Sequence, residues 1–191
     1  MIKLALWVEG DRDRRFCDGV LKPVFGISYG LVLVREYRQL PRPVVNKLLR
    51  SMSCEGFDHL FFADQDTAPC VSSRKSKVKQ GYPDLTDDRI VVVSREIESW
   101  FLAGIQPSHA KRFAIPILGR TDDLSKADFD EYRKRKFDSD IDSMAEIVKV
   151  YSIAEALQRN RTFEYLHGRF LAPISSVSPE ERFLPFGNEA E

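Results

Sequence analysis

The chain is poor in cysteine, and that scarcity excludes two scaffolds at once. Cys17, Cys54 and Cys70 are odd in number and share no CxxC spacing, so neither a disulfide framework nor a zinc knuckle is expected, and the three read as free thiols. An excess of charge of either sign is also missing. The 29 basic and 29 acidic residues cancel, so no global field draws in a polyanion, and a nucleic-acid partner would have to be met by a local basic patch. No apolar run is long enough to cross a bilayer, and the opening MIKLALWVEG has neither the apolar core nor the cleavage site of a secretory signal. A cytoplasmic protein with no membrane partner is therefore expected. His59, His109 and His167 have no ligand spacing and are assigned to packing or surface. The absence of GxSxG, P-loop and GxGxxG patterns argues against a serine hydrolase, a nucleotide-triphosphate switch and a dinucleotide binder.

What is present is an alternation of short apolar runs with helical patterns. Ile2 to Val8, Gly30 to Val34, Leu60 to Ala63 and Ile90 to Val93 are of strand length and nearly continuous in apolar character, as suits a parallel sheet buried on both faces. Asp11 is placed to cap a first helix, in which Phe16, Cys17, Val20 and Leu21 recur at helical spacing until Pro23 and Gly26. Pro43 opens a second helix, with an apolar stripe of Val44, Val45, Leu48, Leu49 and Met52. Thr67 to Tyr82 is polar, either a loop or a solvated helix. Ser94 to Leu102 places Ile97, Trp100 and Phe101 at helical spacing. Residues 1–103 are thus read as an α/β domain with a mostly parallel, wound sheet flanked by helices. Residues 104–171 lack a convincing strand and carry helical periodicity in Met144, Ile147, Val148 and Tyr151 and in Phe163, Leu166 and Phe170, so a helical extension packed on that domain is expected. A tail over 172–191, with little periodicity, is expected to be loosely ordered.

Acidic residues stand at two strand ends. Glu9 follows the first strand, and Asp64 and Asp66 follow the third within HLFFADQD. In open α/β sheets ligands bind outside the carboxyl ends of the strands. If the backbone at Asp64 to Asp66 is extended, the two side chains point the same way, and if the first and third strands are neighbours, Glu9 joins them. Carboxylate oxygens without a His or Cys cluster select Mg²⁺ or Mn²⁺ over zinc. Such an ion polarises a phosphoryl oxygen and lowers the pKa of bound water, so the expected chemistry is phosphoryl transfer. Glu96 and Glu98 would lie about 200° apart on a helix, so only one can reach the site. Glu96, nearer the strand end, is favoured, although an extended start would admit both. Arg74, Lys75, Lys77 and Lys79 follow the Asp pair, and Arg12, Arg14 and Arg15 follow Glu9, where they could hold a phosphate backbone. No aromatic residues interleave with them, so base-specific reading is not indicated.

The VEG sequence of Val8 to Gly10 and the FADQD of Phe62 to Asp66 resemble the two signature motifs of the Toprim domain, found in topoisomerases, bacterial primases and overcoming-lysogenization-defect nucleases. The nuclease branch has a second acid four residues after the first, a place held here by Asp13 instead of the usual Glu. The chain is more closely similar to small bacterial Toprim-like proteins, some suspected of phage defence. These pair DQD, a nearby Cys and a Lys with a later EIExW segment, as Asp64 to Asp66, Cys70, Lys75 or Lys77 and Glu96 to Trp100 do here. The resemblance implies a metal-dependent nuclease acting on nucleic acid, DNA before RNA. It implies Mg²⁺ or Mn²⁺ on Glu9, Asp64 and Asp66 with Asp13 beside them, Glu96 or Glu98 completing the shell, and Lys75 or Lys77 on the phosphate. Two other readings fit the same residues. One is a non-catalytic nucleic-acid-binding or protein-binding module of a defence system, with a partner protein and a structural ion. The other is a haloacid-dehalogenase-like phosphatase, although its Asp-x-Asp normally follows the first strand.

Overall fold

The computed structural model describes residues 2–172. Four strands, β1 (Lys3–Val8), β2 (Leu31–Glu36), β3 (Phe57–Asp64) and β4 (Ile90–Val93), form one sheet in the order β2-β1-β3-β4. Every pairing is parallel, with Trp7 opposite Phe61 and Asp64 opposite Val93. The chain runs from β1 to β2 on one side, then crosses back to place β3 on the other side of β1. The strand order therefore reverses between β1 and β3, the position at which α/β sheets open a crevice.

The strands divide the core by simple alternation. Leu4, Leu6 and Val8 of β1 face one layer, with Phe16, Trp100, Phe101 and Phe163, while Ala5 and Trp7 face the other, with Val45, Leu49, Phe61 and Tyr82. The first layer begins with α1 (Asp11–Phe16), a π-helical stretch Cys17–Leu21 and α2 (Lys22–Phe25). The helical pattern expected to break at Pro23 and Gly26 continues through Pro23 and ends at Phe25, before Gly26. The widened turn, in which the Lys22 N–H reaches the Cys17 carbonyl, accommodates the donor that proline lacks. The second layer holds α3 (Arg42–Cys54) and α4 (Val71–Gly81). In α3 the buried face is Val45, Leu49 and Met52, narrower than the sequence stripe, since Val44 and Leu48 are exposed. The polar Thr67 to Tyr82 segment contains the helix α4, whose one buried side chain is Val78.

After β4 the chain forms α5 (Glu98–Ala103), α6 (Pro107–Arg112), α7 (Lys126–Arg133), α8 (Asp140–Lys149), α9 (Ile153–Arg159) and α10 (Arg161–Leu166), then a π-helical stretch His167–Leu171. Ser125, Ser139, Ser152 and Asn160 each cap a helix by accepting a backbone N–H. These helices share the first layer's core. The Phe16 ring meets Trp100, Phe101, Tyr151 and Phe163 at centroid separations of 5.6, 5.1, 5.3 and 6.2 Å, within the range of favourable aromatic pairs. At Gly104 a Cβ would collide with the Tyr151 ring, whose hydroxyl donates to the Trp100 carbonyl. The expected tail falls outside the described residues, except for Ala172. Among the described residues no helix is long and apolar enough to cross a membrane.

Candidate functional site

Two adjacent strand ends bring the acids together. Glu9, the first residue beyond β1, is 6% exposed, and its Oε1 accepts the backbone N–H of Asp64, the last residue of β3, at 3.3 Å. Asp13 projects from the first turn of α1 and is 7% exposed, with Oδ2 accepting the Gly10 N–H at 3.2 Å. Glu98, the first residue of α5, is 3% exposed. Burial pushes Asp64 up to about 9, and the negative charges of Asp13, Glu9, Glu98 and Asp66 add to the shift. Burial likewise raises Asp13 to about 7, with Glu9 and Glu98 contributing. Asp64 Oδ1 is buried without a hydrogen-bond partner. Carboxylates this close resist joint ionisation unless positive charge is supplied.

Arginines supply part of that charge. Arg74 Nη2 lies 2.9 Å from Glu9 Oε1 and 3.0 Å from Asp66 Oδ2, with only 11% of its side chain exposed. Arg38 Nη1 donates to the other oxygen of Glu9 at 2.9 Å. Arg12 Nη1 meets Glu98 Oε1 at 2.6 Å, and its Nη2 meets Asp130 at 3.1 Å and Asp140 at 2.9 Å. One guanidinium thus joins the strand-end acids to α7 and α8. Glu98 still stays above its ordinary pKa, because burial outweighs its bond to Arg12. Among the described residues, no three His, Cys, Asp or Glu side chains form a ready metal-ligand set. The donors nevertheless fit a hard dication in kind: all are carboxylate oxygens, one buried oxygen lacks a partner, and the charges around it are predominantly negative.

The other sequence candidates are placed differently. Asp66 is not an extended continuation of β3. Its φ of 49° puts it in the left-handed region, where Asp is better tolerated than most residues, and its carboxylate approaches Glu9 through Arg74. Ser94 to Ile97 is not helical either: α5 starts at Glu98, and Arg95 has a φ of 55°. The choice of Glu96 for its nearness to the strand end is corrected accordingly. Glu98 faces the acids, whereas Glu96 Oε2 accepts the Lys126 N–H at the start of α7 at 2.5 Å. Lys75 Nζ donates to the Asp87 carbonyl at 2.6 Å, and Lys77 is exposed. Of the basic residues that follow the Asp pair, the one at the acids is Arg74. Its signal was available, since Arg74 lies four residues before Val78, the buried residue of α4, and shares its face. Arg12 stood out only as one of three arginines that follow Glu9, with nothing to show its partners, and Arg38 had no signal, because the acids they pair with are distant in sequence.

No family model, curated protein or solved structure matches the chain.

Proposed function

We propose that this protein is a metal-dependent phosphodiesterase acting on nucleic acid. The observation that carries the reading is the meeting of Glu9 and Asp64 at the switch point between β1 and β3, with Asp64 Oδ1 unpartnered and its pKa raised to about 9. Carboxylates whose pKa is raised by burial or that are paired with arginine suit a site that gains counter-charge with a ligand. Glu9, Asp64 and Asp66 would hold Mg²⁺ or Mn²⁺, with Asp13 and Glu98 beside them. The ion, when bound, would polarise a phosphoryl oxygen and acidify a water. The protein's own part is to orient the acids. The Gly10 N–H fixes Asp13, the Asp64 N–H fixes Glu9, and Arg12 fixes Glu98. The similarity of VEG and FADQD to Toprim motifs supports the same reading.

The test is cleavage of plasmid and single-stranded DNA, with RNA in parallel, in Mg²⁺ or Mn²⁺. Asp64→Asn and Glu9→Gln are each expected to lower the rate by at least about a hundredfold. Cleavage by both variants at the parent rate would end this reading. One observation favours a second reading, a binding module of a defence system: both carboxylate oxygens of Glu9 are engaged by arginines, Arg74 and Arg38. Binding of nucleic acid or a partner protein without turnover in saturating Mn²⁺ would select it.

A further inference from the structure

Arg74 is distinguished from its basic neighbours by what it touches. One nitrogen, Nη2, bridges an acid at the end of β1 and an acid in the turn after β3. These are two of the oxygens that the proposed metal centre requires. The guanidinium is mostly buried, and its Nε has no hydrogen-bond partner. Full satisfaction of its donors is therefore not what holds it there; the attraction is to the two carboxylates. An arginine with a free Nε is less firmly committed than one in a bidentate fork.

We infer that Arg74 is an internal counter-ion: it occupies the charge position of the cation between Glu9 and Asp66 and must release both carboxylates before a divalent ion can be held by them. This inference rests on the metal-dependent reading above and adds regulation of that site. A monovalent guanidinium and a dication sharing the same oxygens repel each other at short range in a partly buried setting. Arg74 therefore weakens ion binding while it holds the cation-free acids together. Because Val78 is the one buried side chain of α4, movement of its first turn disturbs little apolar packing.

Mn²⁺ binding to the full chain, followed by electron paramagnetic resonance at pH 8, tests this directly. Arg74→Gln is expected to bind Mn²⁺ about tenfold more tightly than the parent, or better. In thermal melts it should gain more Tm from Mn²⁺ than the parent does. Equal or weaker binding by a folded Arg74→Gln would overturn the inference. Asp64→Asn separates this failure from failure of the metal reading: if it binds Mn²⁺ like the parent, the metal centre itself is wrong, whatever Arg74 does. A second measurement needs no variant. In the parent, the Arg74 Nε–H resonance is expected to shift on saturation with Mg²⁺, and an unchanged resonance at saturation would contradict the displacement.

Discussion

At the scale of single residues, Asp64 and Asp13 set the protein's response to pH. Both have folded pKa values, about 9 and about 7, raised above the ordinary carboxylate range, first by burial and then by neighbouring acids. For a raised acid, the stability contribution is complete below the unfolded pKa and is lost as pH rises through the folded one. The cation-free protein is therefore expected to lose stability as pH climbs from about 4 towards 9, and Asp64→Asn to flatten that decline in urea melts. Chelated samples titrated at several pH values check this; a parent that grows more stable over that range would contradict the assignment. His59 works in the opposite direction. Its Nδ1 accepts the Trp7 indole N–H at 3.0 Å while Nε2 pairs with Ser53. Nδ1 must therefore be unprotonated, and burial lowers its pKa. Its stabilising contribution is present above the unfolded pKa and is lost as pH falls.

At the scale of elements, the turns after strands carry the candidate acids, and buried polar contacts hold them in place. The turn from β4 to α5, which delivers Glu98, is fastened to the start of α10. Thr162 Oγ1 accepts the Ser94 N–H at 3.2 Å and the Trp100 indole N–H at 2.9 Å, and donates to Asn160 Oδ1 at 2.8 Å. Asn160 in turn donates to Ser99 and Thr121. Thr162→Val keeps the volume but leaves two donors without an acceptor. It is expected to cost roughly 2–4 kcal/mol, read as a Tm loss of roughly 5–15 °C for a chain of this size. An unchanged melting temperature would show that the network does not hold the turn. Little of this was legible from the chain. Strand runs and helical periodicity located the elements, because burial on both faces imposes an apolar run and burial on one imposes a stripe. The turn after β4 escaped that logic: Arg95 adopts a left-handed backbone, which resets the helical phase, so that nearness to the strand end pointed to Glu96 rather than Glu98. Asp66 escaped for the same reason.

At the scale of the whole molecule, the sequence implied that an acid after the first strand and a pair after the third could meet, and strand adjacency was the condition left open. The order β2-β1-β3-β4 meets that condition by making β1 the pivot of the winding. The C-terminal helices could be recognised as helices, but not as part of the site's support. Arg12 reaches Asp130 and Asp140 across 118 and 128 positions, a pairing that no local pattern encodes. The sheet supplies two strand ends, α1 and α5 add one acid each, and the C-terminal helices position α5. The most direct measurement is anomalous scattering from a crystal soaked in Mn²⁺. The expected result is a peak within coordinating distance of Glu9 and Asp64, with Arg74 moved off Glu9. A fully soaked crystal with no peak at these two side chains would contradict the proposed metal centre.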